Sequence, residues 1–583
     1  MTTVAQFFAV VLVDELVRAG VRHVVLSPGS RSAPLAYAAL DAERAGLLEL
    51  HVRTDERSAA FCALGLGKAT GVPAVVVTTS GTAVANLHPA VLEAHEARVP
   101  LVVVTADRPH ELRPTRANQT THQPGIFGGS VRLALDLEAP VQGASPMPYW
   151  RTCMDRTVAA AMGAVGGVPG PVHVNVSLRD PLAPEAGVRP LVGDGLPEEL
   201  QGRPGGVAWT VCEPASLVGG DGLPEVARTL VVVGDVSGDV RQRAFQWAAL
   251  RGHPVLAGPF GQGAEGVVVP HGPLVAETGV AAVAENVPDR VVVVGRLTLS
   301  RAVGALVRRS GCAVAVSADP VWPDPSHVVS SVHSVGALSL MSPVLSEDFV
   351  AAAHDFGRRW REAGVAVSGA VEQVVPGTWP SGPAVAACVL GALPRGARLF
   401  CGSSSTVRDV AFVGSGRGDV ETVASRGLAG IDGCVSTAAG MALADDRATF
   451  ALVGDLTFVH DSAGLSVGPL ERRPDLTVLV VNDDGGAIFD TLEYGSSDVR
   501  GEDPQGFVRL FATPIGTSVE ALARAHGARF VRASTPGELV EVAAQVPCGF
   551  TVVEIVVPAM RARVDREALV SAADVAVEQV FSV

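Results

Sequence analysis

A chain of 583 residues, 48% of them hydrophobic, is too long for one core and too apolar for disorder, so about three domains of ordinary size are expected. Its formal charge of −15 argues against a nucleic-acid or anionic-membrane surface, while leaving room for local arginine clusters that hold small anions. Lys68 is the only lysine, so Schiff-base chemistry would rest on that one residue.

The opening "MTTVAQFFAVVLVDELVRAG" has no basic leader region and is interrupted by Asp14 and Glu15. It reads as an amphipathic first helix rather than a targeting segment. Other apolar runs fall far short of the roughly 18 residues that a membrane span requires. The eight cysteines show no CxxC pair and no metal-ligand spacing, and read as reduced, mostly buried thiols of a cytoplasmic protein.

Short Val/Ile/Leu runs then recur: "VRHVVLSPGS", "VPAVVVTTSG", "VPLVVVTADRP", "TLVVVGD", "DRVVVVGR", "TFALVGD" and "LTVLVVNDDGG". Apolar on both faces and separated by helical stretches, they predict parallel strands and an α/β class of doubly wound sheets. A Gly/Pro-rich stretch at about 186–226 and "VVPGTWPSGP", ending at Pro383, break the pattern. They divide the chain into an N-terminal domain (1–187), a linker plus central domain (188–372) and a C-terminal domain (373–583). The stretches from "VPAVVVTTSG" to "VTADRP" and from "TFALVGD" to "VVNDDGG" form a weak internal repeat of strand, small-residue turn, helix and strand. Ligands of parallel sheets bind beyond the carboxyl ends of the strands, where "SPGSRS", "TTSGTA", "TADRP", "VGDLTF" and "NDDGG" fall.

Asp455 ends the apolar run "ATFALVGD". A buried carboxylate is costly without a cation or donors beside it. Twenty-eight positions on, one strand–helix–strand excursion brings Asn482 and Asp483 to the neighbouring strand end, where they and the Gly485 carbonyl can meet Asp455 at one hard cation, Mg²⁺ or Mn²⁺. The turn Gly454–Asp455–Leu456 would open a helix towards a metal-bridged diphosphate. The bland alternative is an N-cap aspartate followed by an ordinary Asn/Asp turn.

This spacing resembles the thiamine diphosphate signature, which usually has Asn where Asp483 stands, so Asn482 and Asp483 both remain candidate ligands. The resemblance implies pyrimidine-binding, central and diphosphate-binding domains. It also implies that Glu56 of "TDER" shares a proton with N1′ of the cofactor aminopyrimidine; the alternative is a surface turn at a helix start. "SPGSRSAPL", "TSGTAVANL", "TADRPHEL", "ANQTTHQPGIF", "SSSTVRD" and "SRGLAGIDGCVSTAAG" are similar to one branch, the 2-succinyl-5-enolpyruvyl-6-hydroxy-3-cyclohexene-1-carboxylate synthases of menaquinone biosynthesis. That branch implies decarboxylation of 2-oxoglutarate and 1,4-addition to isochorismate.

Two dicarboxylate substrates in an acidic protein call for arginine forks. By resemblance these are Arg31, Arg108, Arg408 and Arg426, with Arg301 from the central domain; any one alone would read as a surface arginine. Ser30, Ser404, Asn118 and Gln119 would orient cofactor or substrate, with Ser80 and Thr82 near the pyrimidine. Ile431 matches the apolar wedge beneath the cofactor, and Ile488 and Phe489 would wall the site against water. His122 and His460 acquire no defined task. The family builds each site from two chains, implying a homodimer or a dimer of dimers. The rival expectations are another thiamine diphosphate-dependent decarboxylase, a flavin-containing acetolactate synthase-like carboligase, or a catalytically silent nucleotide-binding protein.

Overall fold

The computed structural model describes residues 3–581 apart from 142–146, 165–166, 185–195, 197, 213–221, 262–265, 320 and 415–416. The expected boundary at 187/188 lies outside the described residues. Three parallel sheets carry the fold. In the first, the strands run in the order Glu49–Val52, His23–Leu26, Ala74–Thr78, Leu101–Asp107, Pro171–Ser177, Ala134–Leu137. In the third, the order is Glu421–Ala424, Arg398–Cys401, Thr449–Gly454, Leu476–Asn482, Phe550–Val556, Arg529–Arg532. Numbered along the chain, both sheets read 2-1-3-4-6-5, so the weak internal repeat is a repeat of topology. A five-stranded sheet lies between them in sequence, in the order Val329–His333, Ala313–Val316, Arg290–Val294, Thr229–Val233, Val255–Ala257.

All seven apolar runs singled out in the sequence are strands, and their Val-rich centres are buried on both faces because helices cover each side. Helix Val4–Arg18 starts at a Thr3–Gln6 capping box. It departs from the amphipathic expectation: Asp14 and Glu15 are buried, and Glu15 is 0% exposed. Arg151, also 0% exposed, donates to Asp14 at 2.8 Å and to Glu15. Glu15 further accepts the Trp209 N–H at 2.6 Å, so the acids tie part of the linker to the N-terminal domain. The cysteines depart from expectation as well: only Cys62, Cys153, Cys401 and Cys434 are buried. Among the described residues no helix is long and apolar enough to cross a membrane.

The outer domains meet through two helices of like position. Glu56–Thr70 is capped by Asp55, which accepts the Arg57 and Ser58 N–H groups, and ends at left-handed Gly71. Cys434–Ala444 begins after Gly433, over which the Phe61 ring packs so closely that a Cβ would lie 1.9 Å from it. The crossing depends on reciprocal glycines. A Cβ on Gly65 would stand 2.0 Å from the Thr437 carbonyl oxygen, and one on Gly440 would stand 2.0 Å from that of Cys62. Backbone cannot yield as a flexible side chain does, so Gly65→Ala should cost about 1–3 kcal/mol. A lowered thermal midpoint checks this; Gly391→Ala, with open space around its Cβ position, is the control.

Candidate active site

The third sheet positions a cavity of the C-terminal domain that is lined by acids, hydroxyls and arginines. Strands Thr449–Gly454 and Leu476–Asn482 are adjacent and in register, with Gly454 opposite Val481, so the turns after them face each other. Asp455 begins helix Asp455–His460 with Gly454 at its N-cap, and is only 4% exposed. Its Oδ2 accepts the Gly485 N–H at 2.9 Å. Burial pushes the Asp455 carboxyl up to about 6. Burial and then the neighbouring Asp455 push Asp483 up to about 8. The charge of Asp484 adds to the rise at Asp455, so acids crowd this turn, an arrangement that a cation would relieve.

A cavity of about 380 Å³ is lined by Gly454, Asp455, Leu456, Asp483, Gly485, Ile488 and Phe489, with Ser404, Arg408, Arg426 and Ile431 on other walls. Asn482 does not line it. Its amide donates to Glu554 at 2.8 Å and its oxygen accepts the Asp484 N–H at 3.0 Å, so the side chain is spent on its own turn. Asp483 is thus the residue of the pair that faces the cavity. Ser403 and Ser405 also line it, and their buried hydroxyls have no partner among the described residues. Ser404 between them holds a left-handed φ of 75°, a conformation that a serine keeps only where its surroundings impose it. The donors fit a hard divalent cation and a polyanionic group: carboxylate and carbonyl oxygens, with unspent hydroxyls beside them.

A wider cleft of about 770 Å³ continues from this cavity and shares Arg408, Ile488 and Arg566 with it; Arg301 and Arg308 lie on its central-domain side. Burial, followed by the charges of Arg566 and Arg426, lowers Arg408 to about 10. Its Nη1 donates to the Ser404 carbonyl at 2.6 Å. Arg426 is buried and donates to Thr298 Oγ1 at 3.2 Å and to the Thr298 carbonyl at 2.9 Å, which fastens it to the central domain. Arg301 is exposed and pairs with Glu493 at 3.1 Å.

Arg566 escaped the sequence reading. It comes from the first turns of the last helix, Ala562–Phe581, and is held by buried Asp409 at 3.0 Å. Its signal was the cluster "RARVDRE": arginines opening a helix oppose the helix dipole, so an anion nearby would explain them.

None of the N-terminal candidates lines either cavity of their own chain. They form a separate cluster at the carboxyl ends of the first sheet. Ser80 Oγ donates to the Gln119 carbonyl at 2.8 Å, and Gln119 returns a bond from Nε2 to the Ser80 carbonyl at 3.0 Å. Arg108 donates to Ser80 Oγ and, at 3.0 Å, to the Gln119 carbonyl. Burial, then the nearby Arg31 guanidinium, lowers Arg108. Arg31 donates to the Leu178 carbonyl at 2.9 Å. Ser30, Thr82, Asn118 and His122 are exposed nearby in the chain. Glu56 is half-buried at its helix start, and its carboxylate has no hydrogen bond or ion pair among the described residues. The ring of His460 is exposed, while its backbone carbonyl accepts from Arg57 at 2.9 Å, which favours a structural role.

Comparison with known proteins agrees with this geometry. The N-terminal TPP binding domain of thiamine pyrophosphate enzymes matches residues 8–126, and their C-terminal TPP binding domain matches residues 415–555. The crystal structure of benzoylformate decarboxylase from Polynucleobacter necessarius superposes with a TM-score of 0.64 over 96% of this chain and 99% of its own; at 16% identity it attests the fold alone. The chain is 45% identical to the 2-succinyl-5-enolpyruvyl-6-hydroxy-3-cyclohexene-1-carboxylate synthase of Kineococcus radiotolerans, over 98% of this chain and 99% of that protein. Against the synthase of the same name from Saccharopolyspora erythraea the identity is 44%, over 89% and 90%. Such likeness across nearly the whole length is a family relationship, and the chain belongs to the 2-succinyl-5-enolpyruvyl-6-hydroxy-3-cyclohexene-1-carboxylate synthases, the MenD branch of the thiamine pyrophosphate enzymes.

Proposed function

We propose that the chain joins 2-oxoglutarate, with loss of CO₂, to isochorismate, in sites that each combine the N-terminal domain of one chain with the C-terminal domain of another. The observation that carries this is the separation just described. Among the described residues the acid–hydroxyl cavity and its arginines have no wall from the N-terminal domain, while Glu56 and the Arg31–Ser80–Arg108–Gln119 cluster stand apart from it. A second copy of the chain supplies the missing half, making a homodimer the minimum and a dimer of dimers compatible. The three-part division at 187/188 and 372/373 is retained, with pyrimidine-binding, central and diphosphate-binding roles. The buried thiols of Cys62, Cys153, Cys401 and Cys434 support a cytoplasmic location.

Asp455, Asp483 and the Gly485 carbonyl would hold Mg²⁺ or Mn²⁺. The backbone of Gly454 and Leu456 would border the diphosphate of thiamine diphosphate, and Ile431 would support its rings from below. The cofactor, when bound, supplies a nucleophilic carbon and an electron sink for decarboxylation. Glu56 holds the proton shared with N1′ of the aminopyrimidine. Ser30, Ser80, Thr82, Asn118, Gln119 and Ser404 orient neutral groups, and Ile488 and Phe489 exclude water. Arg31, Arg108, Arg301, Arg408 and Arg426, joined by Arg566, bind the substrate carboxylates.

CO₂ release from 2-oxoglutarate, followed with and without isochorismate, tests the reaction; sustained turnover should require isochorismate. Release indifferent to it would identify a simple decarboxylase instead. Loss of a charged hydrogen bond is worth about 1.5–3 kcal/mol. Alanine at Arg31, Arg408 or Arg426 should therefore raise the KM of one substrate about ten- to a hundredfold. Equal loss for both substrates in all three variants would sink the idea of separate clamps.

A further inference from the structure

The amino end of the first sheet, remote from the strand ends that carry the cluster around Arg108, brings together His23, Glu49 and His51. The placement follows from parallel pairing. His23 is in register with Glu49, and Val25 with His51, while alternation along the strand returns Glu49 and His51 to one face. Val25, two residues beyond His23 on that same face, packs in the core with Ala59 and Phe61. The three side chains therefore point into the layer between the sheet and the helix Glu56–Thr70.

Among the described residues this is the one group of three His, Cys, Asp or Glu side chains whose ligating atoms all lie within 4.8 Å of one another. His51 Nε2 stands 3.4 Å from His23 Nδ1. Two nitrogens about 2.0–2.1 Å from a tetrahedral ion stand about 3.4 Å apart. The rings lie 5.7 Å apart, centroid to centroid, and 20° from parallel. Glu49 Oε2 is 3.9 Å from His51 Nε2, and its half-exposed side chain has room to close that gap. His51 is 1% exposed and its Nδ1 has no partner among the described residues, which leaves Nε2 as the ring's polar outlet there. Burial holds His51 down at about 3 and lowers His23 as well, so both imidazoles offer lone pairs at neutral pH without giving up a proton.

The geometry points to a second metal site, in which His23 Nδ1, His51 Nε2 and a Glu49 oxygen bind a first-row transition ion such as Zn²⁺ with water in the fourth position. Two imidazoles and one carboxylate select such an ion over Mg²⁺, which the oxygen donors at Asp455 and Asp483 suit. Glu49 is at present paired with Arg472 of the C-terminal domain at 3.0 Å, and the adjacent Glu471 accepts the Val52 N–H at 2.7 Å. Arg472 is thus the ion's competitor for Glu49. Binding would exchange a salt bridge between the two domains for a metal–carboxylate bond.

The test uses full-length, chelator-stripped protein carrying thiamine diphosphate and excess Mg²⁺, which keeps the oxygen site filled. Zn²⁺ affinity is read by competition with a chromophoric chelator, and imidazole ligation by the visible spectrum of Co²⁺. One ion per chain is expected. His23→Gln, at a half-buried position, should weaken it by at least about tenfold, and His51→Gln should do the same. Arg472→Gln should tighten it, an opposite shift that general loosening of the fold would not produce. Equal affinity in wild type and His23→Gln, or no binding beyond the Mg²⁺ site, would overturn the assignment.

Discussion

Glutamine in place of Glu56 should lower single-turnover CO₂ release from 2-oxoglutarate by about 10²- to 10⁴-fold, the range of a lost general acid–base group. The fold should survive, because the carboxylate makes no hydrogen bond or ion pair among the described residues and the helix keeps its Asp55 cap. The same variant separates the two-chain site from a one-chain site. Glu56→Gln and Asp455→Asn homodimers should each be inactive. Co-expressed, half of the dimers are mixed, and each mixed dimer regains one intact site, which returns about a quarter of the wild-type rate. No recovery in a preparation shown to contain mixed dimers would place both residues in the site of a single chain.

Arg151→Met should be the most destabilising substitution away from the active site. It strips buried Glu15 of its cation, leaves buried Asp14 only its Arg18 partner at 2.8 Å, and removes the donor to the Leu200 carbonyl at 2.8 Å. Breaking a buried ion pair from one side costs about 3–5 kcal/mol. Crowding of acids there is already visible in Asp155, which burial and then Glu15 push up to about 7. The thermal midpoint of the N-terminal domain measures the loss. A change below about 1 kcal/mol, the scale of an exposed pair, would mean that the carboxylates reach water despite their burial.

What was legible in the sequence followed from repetition of a physical pattern. Runs apolar on both faces marked the central strands, and Asp455 with Asp483 marked the strand ends because carboxylates are expensive after such runs. Short edge strands escaped: Glu49–Val52 and Arg529–Arg532 alternate or expose polar residues, and their pairing is decided by neighbours distant in sequence. Asp14 and Glu15 looked like a solvated helix face because their partner, Arg151, lies 137 and 136 positions away. Asn482 and Asp483 could not be ranked without Glu554, which engages the first and leaves the second to the cavity. Arg566 left only the weak local signal of arginines at a helix start, and its partner Asp409 lies 157 positions away.

The reciprocal glycines of the central helix pair have a consequence for how the molecule responds to dilution. Gly65 against Thr437 and Gly440 against Cys62 make a self-complementary contact of the sort usually seen between identical subunits, here joined by covalent linkage. A tether fixes the effective concentration of the two halves, so their association is indifferent to how much protein is present. The proposed pairing between chains has no such tether. Lowering the protein concentration therefore draws apart the composite sites first, while the seam within each chain stays closed.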